Sequence, residues 1–190
     1  MPKLAVVIAS TRPGRVGLPV GRWFFEAARA HAKFEVELID LKEVALPALD
    51  EPRHPRLKLY EHAHTKAWSA RVEAIDAFVF VTPEYNYSMP PALLNALDFL
   101  SAEWAYKPAA FVSYGGVSGG TRSVEMTKQV LTALKMMAIP ESVIIPFVSK
   151  QIDASSGEFA PAPAQHQAVA LVLDELLRWS TALAPLRAKP

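Results

Sequence analysis

KLAVVIASTRPGRVG, residues 3–17, joins a continuous apolar run rich in β-branched residues to a short loop holding Ser10, Thr11, Arg12, Gly14 and Arg15. A strand with no polar alternation is one buried on both faces, as in a parallel sheet covered by helices on each side. From Gly17 to about Ala32 the pattern changes: Val20, Trp23, Phe24, Ala27 and Ala28 recur at helical spacing. Strand, tight turn and helix N-terminus in that order predict the opening of a βαβ unit.

The alternation continues along the chain. FEVELIDL (34–41) alternates Phe34, Val36 and Leu38 with Glu35 and Glu37, as a half-covered edge strand does. Residues 42–60, with Pro47, Pro52 and Pro55, read as loop, and helical potential resumes over about 61–73. AFVFVT (77–82) and AAFVSY (109–114) are further apolar strands. PPALLNALDFL (90–100) reads as a helix with proline in its first turn, and a helix is expected from about 119–121 to 137. SVIIPFV (142–148) is the last predicted strand, and a closing helix covers 163–183. Five strands alternating with five helices predict a doubly wound three-layer α/β sandwich around a five-stranded parallel sheet, as a single domain over 1–190.

Composition narrows the function. The chain has 190 residues, 51% of them hydrophobic, with a formal net charge of +1. That balance supplies no field favouring nucleic acid or an anionic membrane. Zero cysteines remove thiolate nucleophiles, CxxC redox chemistry and cysteine metal ligands. MPKLAVVIAS carries an apolar stretch too short for a secretory signal or a membrane span, so a cytoplasmic location is expected. His62 and His64 have no nearby acid cluster in sequence and read as solvated surface, and no metal site is expected.

In doubly wound folds ligands bind beyond the carboxyl ends of the strands, where three polar loops fall here. Loop 9–17 combines a helix N-terminus with hydroxyl and guanidinium donors suited to phosphate oxygens; an ordinary connection whose Ser or Thr caps the helix competes with that reading. It is neither GxxxxGK[ST] nor GxGxxG. Loop 82–90, TPEYNYSMP, sets Tyr85, Tyr87, Asn86 and Glu84 on a flat rim suited to a planar heterocycle, or else packs its tyrosines and pairs its glutamate. Loop 113–123, SYGGVSGGTRS, holds four glycines in six positions, which permits close backbone approach to a ligand or marks a flexible turn. A phosphate grip, an aromatic rim and a glycine-rich wall at one sheet edge fit a phosphorylated planar cofactor.

Taken in order, these three motifs resemble the strand-end GSxRxxR/S, PEYN and SYGG-x-SGG loops of the NAD(P)H-dependent FMN reductase family over roughly residues 3–150, and EW…KP at Glu103, Trp104, Lys107 and Pro108 adds to the likeness. The resemblance implies a flavodoxin-like strand order 2-1-3-4-5, FMN as cofactor and NADPH or NADH as electron donor. It implies that Ser10, Arg12 and Arg15 grip the FMN phosphate with the backbone of Val16 and Gly17. Pro83, Glu84, Tyr85 and Asn86 would border the ring system and ribityl chain, and Tyr114, Gly115, Gly116, Ser118 and Gly119 its pyrimidine side. Arg122 would serve the nicotinamide nucleotide or a dimer contact. Ala9 stands where the family often has glycine, and Leu94 where it often has lysine.

The implied reaction is ping-pong hydride transfer from NAD(P)H to FMN and on to a small acceptor: a quinone, an azo compound or free flavin. No residue reads as a protein catalytic group, because the cofactor carries the chemistry. A flavodoxin-like electron carrier and a non-catalytic sensor of a phosphorylated metabolite are the alternatives; the balanced charge counts against the carrier. The resemblance also implies a homodimer or tetramer, and Leu93, Leu97, Phe99, Leu100 and Trp104 offer more apolar surface than one helix face needs. Removing Arg12 or Arg15 is expected to weaken FMN binding with little change in ligand-free stability.

Overall fold

The computed structural model describes residues 1–187; the last three positions of the expected 1–190 domain lie outside the described residues. Five parallel strands, β1 (Lys3–Ile8), β2 (Glu35–Asp40), β3 (Ala77–Pro83), β4 (Pro108–Tyr114) and β5 (Met137–Ile145), form one sheet in the order β2-β1-β3-β4-β5. This is the flavodoxin-like order. Six α-helices connect and cover it: α1 (Gly17–His31), α2 (Leu41–Val44), α3 (Ala63–Glu73), α4 (Pro91–Asp98), α5 (Thr121–Ala133) and α6 (Pro163–Arg187).

The period-2 geometry of the strands sorts their side chains into two cores. Ala5, Val7, Phe78, Phe80 and Phe111 point to the side covered by α3, α4 and α5, where Trp68, Val72, Leu93, Leu97 and Leu131 meet them. Leu4, Val6, Val79, Val81, Ala110 and Val112 point to the other side, against Val20, Phe24 and Ala28 of α1 and Val169, Val172 and Leu173 of α6. The strand phenylalanines Phe78, Phe80 and Phe111 all lie on the first side, where Trp68 and Trp104 meet them; on the second the strands present smaller residues, and the rings of Phe24 and Phe159 come from the covering segments. Leu93, Leu97, Phe99, Leu100 and Trp104 are fully buried within one chain, so they are spent on this core and offer no surface for self-association.

The end of α5 and both ends of β5 differ from expectation. Helix α5 stops at Ala133, and β5 begins at Met137 and ends before Pro146. The partners of Ala109 and Phe111 are Ala138 and Ser142, so Ile139–Glu141 bulge opposite Ala110. A bulge on an edge strand tolerates Pro140, which has no N–H to give to a ladder. Leu41, expected to end the second strand, and residues 42–44, expected as loop, make one helical turn because the Asp40 side chain accepts the Lys42 N–H at 3.0 Å.

The EW…KP residues serve the fold. The buried Glu103 carboxylate accepts from Ser69 Oγ at 2.7 Å and Tyr60 OH at 2.8 Å. Lys107 Nζ donates to the carbonyls of Val72 at 2.7 Å and Glu73 at 3.1 Å, closing the C-terminal end of α3 with a positive charge. Ala9, in place of the family's frequent glycine, buries its methyl in the α3–α5 core, with its N–H donating to Val81 at 3.0 Å.

Helix α1 approaches β1 closely at Gly21, where a Cβ would lie 2.6 Å from Ile8 Cγ1. Replacing an interior helix glycine by alanine ordinarily gains about 1 kcal/mol of helix propensity, and by valine less. Here the sign reverses: Gly21→Val is expected to destabilise the protein by about 1–3 kcal/mol through overpacking, read as a lower midpoint in urea unfolding.

Candidate functional site

The loops after β1, β3 and β4 meet at one end of the sheet because those strands are neighbours in register, with Ile8 opposite Val81 and Pro83 opposite Tyr114. In the first loop Gly14 takes φ +68°, and the Arg15 N–H donates to the Arg12 carbonyl at 3.3 Å, closing a tight turn. Val16 caps α1 without a side-chain hydrogen bond, and its first turn holds no acidic residue. The positive end of the helix is therefore left for an anion from outside the helix. A Cβ at Gly17 would lie 2.3 Å from Tyr114 Oη, so only glycine lets the helix start this close to β4.

Arg15 carries the sharpest signal. Its Nη2 pairs with Asp40, whose side chain is 6% exposed against 9% for Arg15. Its Nε and Nη1 are buried with no hydrogen-bond partner among the described residues. Buried donors are nearly always satisfied, so a guanidinium lining a cleft with two spare nitrogens is a donor set lacking its acceptor. A phosphate monoester, with several acceptor oxygens and negative charge, fits that set. Asp40 also corrects an expectation: removing Arg15 would strand a buried carboxylate, which typically costs about 3–5 kcal/mol, so ligand-free stability must fall with it.

The second loop is a two-residue hairpin. Tyr85 and Ser88 exchange both backbone hydrogen bonds at 2.9 Å, while Asn86 and Tyr87 sit at φ +50° and +68°. Positive φ at both central positions is the type I′ arrangement, which suits asparagine and strains tyrosine. Tyr85 OH lies 2.7 Å from Ser10 Oγ, linking the first and second loops. Tyr87 faces solvent, with the Arg122 guanidinium 3.9 Å above its ring centroid.

Glu84 joins the second loop to the third. Its carboxylate accepts from Ser118 Oγ at 2.9 Å, Arg122 Nε at 2.7 Å and the Arg122 N–H at 3.2 Å. Burial opposes its charge, but the bonds from Arg122 and Ser118 more than offset that, and its pKa lies below the usual carboxylate range. In the third loop Gly120, at φ +85°, leaves no room for a Cβ, which would meet Tyr114 N and O at 2.8 Å. Gly116 has open space, so neither crowding nor positive φ demands glycine there. The Tyr114 hydroxyl is buried with no partner within hydrogen-bond geometry among the described residues, and burial pushes its pKa up.

Ser10, Arg12, Arg15, Val16, Pro83, Glu84, Tyr85, Tyr114 and Gly115 line one cleft of about 310 Å³. Gly17, Asn86, Gly116, Ser118 and Gly119, also expected at the site, do not line it. Pro13, Gly14 and Val148 complete the lining, and Asp40 supports it; of these four the sequence points only to Gly14, as a residue that relieves crowding in the loop. Asp40 ends FEVELID, and the topology signals it: β2 neighbours β1, setting Asp40 opposite Ile8 where the first loop begins. Val148 follows a turn at Phe147 and donates its N–H to Gly115. His62 and His64 stack on one another at 5.2 Å, with His64 Nε2 3.0 Å from Asp50, away from the cleft. No group of three metal-ligating side chains occurs among the described residues, and no described helix is long and apolar enough to cross a membrane.

Because the Tyr114 hydroxyl is buried without a partner, its loss removes a desolvation cost. Tyr114→Phe is expected to leave ligand-free stability unchanged or raise it by up to about 1 kcal/mol, measured by urea unfolding without added flavin.

Comparison with known proteins places the chain in a family. The sequence profile of NADPH-dependent FMN reductase matches residues 2–150. An NAD(P)H-dependent FMN reductase of Schizosaccharomyces pombe is 40% identical over 141 residues, 73% of this chain and 70% of the relative. An NADPH azoreductase of a Bacillus species is 34% identical over 130 residues, 67% of this chain and 70% of that one. Among solved structures, the NAD(P)H:(acceptor) oxidoreductase FerB of Paracoccus denitrificans superposes with a TM-score of 0.71 over 96% of this chain and 98% of its own; at 22% identity it speaks for the fold alone. On the profile match and these identities, the chain belongs to the NADPH-dependent FMN reductase family.

Proposed function

We propose that this chain, as one flavodoxin-like domain, is an NAD(P)H-dependent FMN oxidoreductase that reduces small planar acceptors, quinones or azo compounds. The observation that carries the reading is Arg15: two buried guanidinium nitrogens without an acceptor, in a cleft beside an uncapped helix N-terminus. Ser10, Arg12, Arg15 and the backbone N–H groups of Val16 and Gly17 would hold the FMN phosphate. Pro83, Glu84, Tyr85 and Asn86 would border the ring and ribityl chain, chiefly through backbone, and Tyr114, Gly115, Gly116, Ser118 and Gly119 would wall the opposite edge. FMN, when bound, supplies a two-electron carrier between the nicotinamide donor and the acceptor. The residues' task is to bind and orient: Asp40 fixes Arg15, Ser10 and Tyr85 join two walls, and the buried Tyr114 lines the cleft between them.

Donor and acceptor would use the same open face in turn, which predicts ping-pong kinetics. Steady-state oxidation of NADPH and NADH by FMN-loaded protein, against a quinone, an azo dye and free flavin, tests both statements. Parallel double-reciprocal lines with turnover of the quinone or azo dye are expected; efficient turnover of free flavin alone would overturn the acceptor assignment.

The phosphate grip has its own test. Arg12 is exposed and has no side-chain partner among the described residues, so Arg12→Ala is expected to weaken FMN about 10- to 100-fold with unchanged ligand-free unfolding, by titration and urea melts. Arg15→Ala is expected to lower both. A homodimer or tetramer also belongs to this reading, by family resemblance. Leu94 and Met126, exposed on the adjacent helices α4 and α5, are apolar surface available to it. Light scattering that returned the mass of a single chain would contradict it.

A further inference from the structure

Helix α5 begins in an unusual way. Its N-cap is Gly120, which has no side chain to satisfy the first N–H groups, and its first turn contains no acidic residue. The missing cap comes from another loop, since the Glu84 carboxylate accepts the Arg122 N–H at the start of the helix. The same carboxylate takes the Ser118 hydroxyl and the Arg122 side chain, so both of its oxygens are used. Arg122 in turn stacks on Tyr87, inside the strained Tyr85–Ser88 hairpin. One side chain thus connects the backbone after β3 to the backbone after β4, and through Arg122 to the turn that aims Tyr85.

We propose that Glu84 is a positioning residue for the flavin ring: by capping α5 from the neighbouring loop it sets the separation of the Pro83–Tyr85 and Tyr114–Gly115 walls. The inference rests on the flavin-binding reading above and adds two assignments to it. Glu84 acts through its carboxylate on the opposite wall, and Arg122 is committed to Glu84 and Tyr87, not to the nicotinamide nucleotide or a subunit contact. Charge-assisted hydrogen bonds in a largely buried position are strong enough to hold such a spacing. The Glu84 side chain is 8% exposed, and both of its oxygens are taken by protein donors.

Ring positioning and phosphate gripping have different signatures, because riboflavin has the ring and lacks the phosphate. Affinities for FMN and riboflavin would be titrated for the wild type, Glu84→Ala and Glu84→Gln, alongside amide hydrogen exchange at Arg122–Val124 in the flavin-free proteins. Glu84→Ala is expected to weaken both flavins by the same factor, at least about tenfold, with faster exchange at those amides. Glu84→Gln should fall between, since its carbonyl still accepts the Arg122 N–H, and it answers the question if the alanine variant fails to fold. Faster exchange with unchanged affinity for both flavins would reduce Glu84 to a helix cap and overturn the proposal. Loss of FMN binding with riboflavin unaffected would place Glu84 at the phosphate end and overturn it too. A wild type that bound neither flavin would refute the flavin reading itself, a result distinct from both.

Discussion

Strands β1, β3 and β4 lie side by side and end almost level, with Ile8 against Val81 and Pro83 against Tyr114, and the cleft is built on those three ends, with Val148 after β5 closing one side. Parallel pairing forces each strand to be followed by a crossover, so each of these ends must open into a loop and a helix N-terminus at the same edge. The apolar continuity of LAVVIA, AFVFVT and AAFVSY buries all three strands on both faces and fixes which edge that is. The sheet is rigid where the loops leave it, and the loops need only short polar links to stay aligned. Ser10 to Tyr85 joins the first loop to the second, and Glu84 to Ser118 and Arg122 joins the second to the third.

Two arginine–carboxylate pairs flank the cleft and do different work. Arg15–Asp40 is buried and only partly used: Asp40 spends its other oxygen on the Lys42 N–H, while Arg15 keeps two nitrogens in reserve. A pair that leaves donors over is a poor device for stability alone, because burying them without acceptors is costly, and it makes sense as half of a binding site. Arg122–Glu84 is fully committed: the carboxylate takes three donors from two elements, and the guanidinium rests on an aromatic ring. The first pair is suited to receive a ligand and the second to hold the receiving walls apart.

Much of this was legible in the sequence, for physical reasons that can be named. Fully apolar strands and 3.6-residue periodicity reveal the alternation, and the three loops stand out because polar, glycine-rich segments rarely interrupt such a pattern without use. What the chain hides is what depends on neighbours far away in sequence. Asp40 reads as the end of an edge strand until β2 is placed beside β1. Glu84 reads as a rim residue until α5 is found to lack a cap. Leu97 and Trp104 look like excess apolar surface until Phe78 and Phe80 are set against them in the core. The early start of β5 was obscured by Pro140, which argues against a strand everywhere except at an edge bulge such as the one it occupies.

A cleft that holds FMN and lets it take electrons from a reduced nicotinamide can be watched by colour. The most direct test is the visible absorption spectrum of the protein with FMN restored, recorded anaerobically before and after NADPH and then NADH. A protein-bound flavin band that bleaches on addition of one or both donors is expected. Absence of a bound band after FMN addition, or a bound band that neither donor bleaches, would contradict the flavin reading.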